Sequence, residues 1–239
     1  MDRFLLTLAG LPMAVEAEDS GLRSFCASYL RESGTPEFAV SLSDGDIAAF
    51  REEHPELSLH DAALLCLHRA IAERLPAFDR MLVHGAAIRY AGQGYLFLAP
   101  SGTGKSTHIR LWRECFGSAV GIVNGDKPML DLSDVPTVYG TPWAGKEGWQ
   151  SNTSAPLRAV CLLRRGTEDT ITRIAPAESF EAVLAQLYRP GDGGAWLKTL
   201  VLADRLFARV PLYLLSCTPT ERAARLAFAA LTTAEERQP

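Results

Sequence analysis

The sequence lacks paired cysteine motifs, a surplus of positive charge and any apolar run long enough to cross a bilayer. Its five cysteines, Cys26, Cys66, Cys115, Cys161 and Cys217, are isolated and odd in number. With no C-x-x-C pair among them, they argue against a disulfide framework and against a zinc site. A reducing cytoplasm is the expected compartment. Lysine and arginine number 24 against 28 acids, a net charge of −4, which offers no electrostatic reason for nucleic acid or an anionic membrane as partner. The longest apolar candidate, "TLVLADRLFARVPLYLLSC", is interrupted by Asp204, Arg205 and Arg209. The N-terminal run "MDRFLLTLAGLPMAVEAED" is broken by Pro12 and turns acidic at Glu16, Glu18 and Asp19, which suits a strand better than an export helix.

What is present is an ordinary globular composition, 47% hydrophobic and 22% charged over 239 residues. That is enough for one sizeable core with a small appended lobe. The pattern divides near Phe78. Residues 1–78 read as a small α+β lobe. "FLLTLAGLPMAVEA" gives one or two strands, "SGLRSFCASYLRES" a capped helix, "EFAVSLS" a strand, and "LSLHDAALLCLHRAIAERLPAF" a helix ended by Pro76. Residues 79–239 open with "MLVHGAAIRYAGQGYLFLAP", two apolar runs around a glycine turn, which predicts a hairpin. The helix "KSTHIRLWRECF" follows, stopped by Gly117. "AVGIVNGD", "PMLDL", "TVYGTPW", "AVCLLRR" and "PLYLLSC" read as strands. "PAESFEAVLAQLYRP", "GAWLKTLVLADRLFARV" and "TPTERAARLAFAALTTA" read as helices.

The second run of the hairpin feeds into "APSGTGKST". A phosphate-binding loop needs inward-turned backbone N–H groups with a helix N-terminus behind them. Ser101, Gly102, Thr103, Gly104, Lys105, Ser106 and Thr107 supply such a strand–loop–helix. The glycines allow the tight curl, Lys105 brings a cation for the outer phosphates, and Ser106 offers a hydroxyl to magnesium, with Thr107 beside it. The first glycine of the full pattern is missing. Ala99 stands there, at a strand end, where a small residue suffices if positive φ is not required. His108 and Arg110 are expected to face solvent.

Four segments in order, "VHGAAI", "APSGTGKST", "IVNGDKP" and "YGTPWAGK", resemble the HPr kinase/phosphorylase and phosphoenolpyruvate carboxykinase superfamily, and within it the small HPr-kinase-like proteins. The resemblance covers roughly Met81 to Gly166. It implies an α/β fold with a mixed, twisted sheet, a P-loop, and phosphoryl transfer dependent on ATP and Mg2+. It also implies that His84 lies near the transferred phosphate, as a donor to its oxygens or a proton relay; a core histidine is the plainer reading. In the HPr kinases two consecutive acids end the strand after the loop. Here they are reduced to Gly125-Asp126, so Asp126 alone would be metal ligand or base, and Asn124-Gly125 reads equally as a hairpin turn. Asn124 could add a neutral oxygen ligand, and Lys127 is a phosphate contact or a solvated cation. Lys146, in the "YGTPWAGKEGW" loop, and Arg165, paired with Arg164 at a strand end, are candidate contacts to the phosphoryl group or acceptor. Arg189 is a weaker candidate. Trp143 and Trp149 read as aromatic faces of that loop or as plain core.

The expected function is therefore a kinase with Asp126, His84 and Lys105 as its catalytic set. Its acceptor is a hydroxyl on a peptide, a protein or a small metabolite; kinases of ribosomal peptides, including lasso-peptide precursors, resemble it too. The chain is short for a carboxykinase. The main alternative is a low-turnover nucleotide-binding sensor or assembly protein of the same fold, suggested by the acid missing at Gly125. A generic P-loop ATPase switch would require a fully parallel sheet. A homo-oligomer stays open, with no residue marking its interface.

Overall fold

A computed structural model describes residues 2–18 and 20–233. Asp19, and Ala234 at the end of the expected closing helix, lie outside the described residues. The N-terminal segment opens with two strands, β1 (Asp2–Leu8) and β2 (Leu11–Ala17), turning tightly through Ala9-Gly10. The expected helix after them is short. It runs as α1 (Ser20–Phe25), and a 3-10 turn over Ala27–Tyr29 leads into β3 (Leu30–Arg31). Tyr29, in that turn, faces the core and gives its hydroxyl to Gln150. Next come β4 (Phe38–Leu42), α2 (Asp44–Glu53) and α3 (Leu59–Arg74). Helix α2 was missed by the pattern, although Ser43 and Asp46 form a capping box that announces it. These strands form a four-stranded sheet in the order β3-β1-β2-β4.

The second sheet is mixed. Its strands are β5 (Arg80–Leu82), β6 (Gly85–Tyr90) and β7 (Gln93–Leu98), then, after helix α4 (Lys105–Phe116), β8 (Val120–Asn124), β9 (Met129–Asp131), β10 (Thr137–Tyr139) and β11 (Ser154–Arg165). Strand β12 (Thr170–Ile174), absent from the sequence reading, precedes α5 (Pro176–Leu184) and α6 (Gly193–Arg209). Strand β13 (Leu212–Cys217) and α7 (Glu221–Thr232) complete the described chain. β6 and β7 are the antiparallel hairpin expected from the sequence, while β11 runs parallel to both β7 and β13. A fully parallel sheet is thereby ruled out. β8 pairs with β6, and β9 with β5 and β10, so Asn124-Gly125 does not join a hairpin.

Strand alternation explains the layers. On β7, Leu96 and Leu98 point into a core with α5 and α6, while Tyr95 and Phe97 point into another with α4 and α7. Strands covered on both faces read as continuous apolar runs, as "YLFLA" does. A third core lies under the N-terminal sheet and α3, and it also takes in Leu82, Met129 and Trp143 from the second part of the chain.

Helix α4 is held by Trp112, which is fully buried and meets the rings of Tyr95, Phe97, Phe116 and Phe228. Its Nε1 donates to His108 Nε2 at 3.1 Å. His108 is therefore 3% exposed, contrary to the solvent-facing expectation. One helical turn before Trp112, it supplies the acceptor that a buried indole N–H requires. Arg110 does face solvent and pairs with Glu114. Trp112→Ala is expected to lower the unfolding free energy by about 3–5 kcal/mol in urea titrations. A loss below about 1 kcal/mol would mean that Trp112 does not anchor α4.

Candidate functional site

The turn after β7 is built around Gly102 and Gly104, at φ of 76° and 120°. Side chains disfavour that backbone region, and a Cβ at either position would meet nothing within 4 Å. The glycines thus serve backbone conformation, and the space beside the loop stays clear. Ala99 is buried at the strand end and is not among the positive-φ residues, so glycine is not required there. Gly104 caps α4 with no side-chain hydrogen bond, and the first amides of the helix are not covered by a capping residue. Ser101 is exposed, Thr103 closes the turn by donating its N–H to Pro100 O, and Ser106 and Thr107 are partly buried in the first turn of α4.

Lys105 turns back under the loop. Its Nζ donates to Ala99 O at 2.7 Å and lies 3.2 Å from His84 Nε2. It is 7% exposed, and burial pushes its pKa down against the pull of Asp126. His84 sits between β5 and β6. Burial, then Lys105 and Lys127, push its pKa down, while Asp126 and Gln186 oppose them. The ring is accordingly neutral near pH 7. Asp126 Oδ1 lies 3.4 Å from His84 Nε2, and Oδ2 accepts from Lys127 Nζ at 2.9 Å.

Asn124 explains how Asp126 is aimed. The Asn124 side chain is fully buried, and its Oδ1 accepts from the main-chain N–H of Asp126 and of Lys127, at 2.8 and 2.7 Å. Its Nδ2 donates to Thr141. Both ends are engaged in folding the turn, so Asn124 is not a free oxygen ligand. Gly85 N donates to Asp126 O and ties the turn to the start of β6. Lys127 is an ion-pair partner rather than a solvated cation.

Arg165 Nη2 donates to Gly102 O at 2.6 Å, so of the Arg164-Arg165 pair it is Arg165 that touches the glycine turn. Lys146 is exposed in the Gly145–Gly148 turn, and Gly145 packs against Asp126, where a Cβ would come within 2.9 Å of the Asp126 Cβ. Arg189 lies over the Trp196 ring instead of reaching the loop. Trp143 is core, donating Nε1 to Leu64 O at 3.2 Å, and Trp149 is partly buried against the α4 side. Gln186 was missed. The expected helix "PAESFEAVLAQLYRP" stops at Leu184, and the chain continues as a strap whose Gln186 Oε1 lies 3.0 Å from His84 Nδ1. A polar residue among apolar neighbours at a helix end carries no signal for this.

Residues 57–222 match the family model of SynChlorMet cassette protein ScmC. The chain belongs to that family. The match spans α3 to the start of α7 and contains His84, Lys105, Asp126, Arg165 and Gln186, while the N-terminal sheet of this ScmC family member precedes it. No curated protein matches the chain.

Helix α3 braces the loop over Asp126 through His68, whose ring is 4.9 Å from that of Trp143. His68 is 9% exposed, its Nε2 is buried without a hydrogen-bond partner, and burial pushes its pKa down to about 4. The ring is neutral when folded and binds a proton on unfolding. Its contribution is full above the ordinary value of 6.5 and is lost as pH falls toward 4. At 1.36 kcal/mol per pH unit the loss is up to about 3 kcal/mol. His68→Phe keeps the ring contact, removes the unpartnered nitrogen, and should leave stability at pH 7 unchanged or higher. Its urea stability should fall less than wild type on acidification; parallel profiles would contradict the assignment.

Proposed function

We propose that this protein is an ATP- and magnesium-dependent kinase of the HPr kinase type, acting on the hydroxyl of a peptide, a protein or a small metabolite. One observation carries the reading. Three segments distant in sequence converge where the glycine turn meets α4: Lys105 behind the loop, His84 at 3.2 Å from it, and Asp126 at 3.4 Å from the same ring nitrogen. The antiparallel strand β6 beside the loop strand supports the HPr-kinase type over an ordinary P-loop switch.

The residues fit a metal–triphosphate. The positive-φ glycines leave open space, the uncapped first turn of α4 presents amides, and hard oxygen donors suited to magnesium stand at Ser106 and Asp126. The loop amides and Lys105 would hold the phosphates, and Ser106 and Asp126 the metal, which would neutralise charge on the phosphoryl oxygens. Lys105 orients the outer phosphate and, being poorly solvated, interacts strongly with it. Asp126, aimed by Asn124, accepts the proton of the attacking hydroxyl, with His84 as the neighbouring base. Arg165, anchored on Gly102 O, adds positive charge at the loop, and exposed Lys146 is available to the acceptor side.

A second reading, a low-turnover nucleotide sensor, draws on Gly125. A Cβ there would lie 3.2 Å from Ala144 O and 3.3 Å from Trp149 O, so a side chain enters only if the loop backbone yields by a few tenths of an ångström. Gly125→Asp would press a carboxylate toward two carbonyl oxygens and is expected to weaken folding as well as alter rate.

Transfer of label from γ-labelled ATP to an added hydroxyl acceptor separates the readings. The kinase reading expects acceptor-dependent transfer that falls at least about 100-fold in Asp126→Asn and in Lys105→Met. Nucleotide binding without transfer to any peptide or metabolite tested would favour the sensor.

A further inference from the structure

We propose that Gln186 is a positioning residue: it fixes the proton of the His84 ring on Nδ1 and leaves the Nε2 lone pair turned toward Lys105 and Asp126. The consequence for turnover rests on the kinase reading; the geometry does not. Lys105 Nζ lies 3.2 Å from His84 Nε2. An ammonium has hydrogens to give and no lone pair, so it favours an accepting ring nitrogen opposite it. A neutral imidazole that accepts at Nε2 carries its hydrogen on Nδ1, and Gln186 Oε1 stands 3.0 Å from that nitrogen. Asp126 Oδ1 pulls the other way, since a carboxylate favours a hydrogen on Nε2, but it is farther off at 3.4 Å. With Lys105 and Asp126 pulling opposite ways at Nε2, the Gln186 oxygen facing Nδ1 tips the balance toward Nδ1–H.

Gln186 is itself fixed. It is 6% exposed, and its main-chain oxygen accepts from His84 N at 2.7 Å. The strap continues along β5: Leu187 bridges Val83, and Tyr188 N donates to Leu82 O. Its far end is held by α3, where Glu73 accepts from the Tyr188 hydroxyl at 2.9 Å and from Gly191 N at 3.0 Å. A buried glutamine, held by its main chain and facing an imidazole nitrogen with its amide oxygen, is an arrangement that selects one tautomer and orients the ring. It makes His84 Nε2 an acceptor, toward Lys105 in this structure and toward an incoming hydroxyl once Lys105 turns to phosphate, rather than a donor to phosphate oxygens.

The test is a long-range 1H–15N spectrum of the full chain labelled at histidine, near neutral pH, with the His84 signals identified by their loss in His84→Asn. Wild type should show a protonated Nδ1 and an unprotonated Nε2. Gln186→Met, which keeps side-chain length but removes the oxygen, should lose that signature, whereas Gln186→Glu, which retains an acceptor oxygen, should keep Nδ1 protonated. In the transfer assay Gln186→Met should lower kcat about 10- to 100-fold with KM for ATP unchanged. If the Met variant does not fold, the wild-type and Glu spectra decide. A wild-type ring protonated on Nε2, or a Met variant with unchanged ring protonation, overturns the proposal. A ring that follows Gln186 in a protein with no phosphoryl transfer upholds it and overturns the kinase reading instead.

Discussion

The site depends on one ammonium group held where water scarcely reaches it. Lys105 begins α4, yet its side chain folds back to Ala99 O and His84 Nε2. Burial costs a charged group its hydration, and here carbonyl dipoles, a neutral ring and the Asp126 carboxylate offset that cost. Each partner comes from a different part of the fold. Ala99 ends β7, His84 precedes β6, and Asp126 follows β8, so the hairpin and its β8 neighbour must be in register before the lysine is satisfied. Trp112 and its aromatic neighbours hold α4 against that hairpin and so set where the lysine starts.

Around this centre the chain uses main-chain geometry more than side-chain charge. Asn124 folds its own turn and points Asp126, and Gly145 lets the next loop close on it. The backbone of Ala144 and Trp149 packs over Gly125 and leaves little room for a second acid. In the proposed reaction a single carboxylate then acts beside Lys127, His84 and Lys105, and positioning carries a larger share than multiplied charge. Helix α3 touches both the Trp143 loop, through His68, and the Gln186 strap, through Glu73. The N-terminal lobe is thereby joined mechanically to the site.

Much of this was legible in the sequence wherever a local rule has a local cause. The apolar runs around "AGQG" gave the hairpin, and Gly117 marked the end of α4, where it stands at φ 60°. Glycines 102 and 104 announced a tight curl. Facts that depend on long-range packing were not legible. His108 looked like helix polarity until Trp112 needed an acceptor. Asn124-Gly125 has hairpin chemistry, but the partner strands lie elsewhere. Gln186 sits 102 residues from His84, and only the folded strap brings them together. The four ordered motifs suggested a kinase-like site, an expectation carried forward as a proposal.

Calorimetric titration with Mg·ATP tests the central claim most directly, because it asks whether the glycine turn and Lys105 grip a metal–triphosphate at all. A saturable heat with one site per chain is predicted, weakened strongly in Gly104→Ala, where φ of 120° strains any side-chain-bearing residue. No heat of association with Mg·ATP or Mg·GTP in a folded wild-type protein would contradict the account.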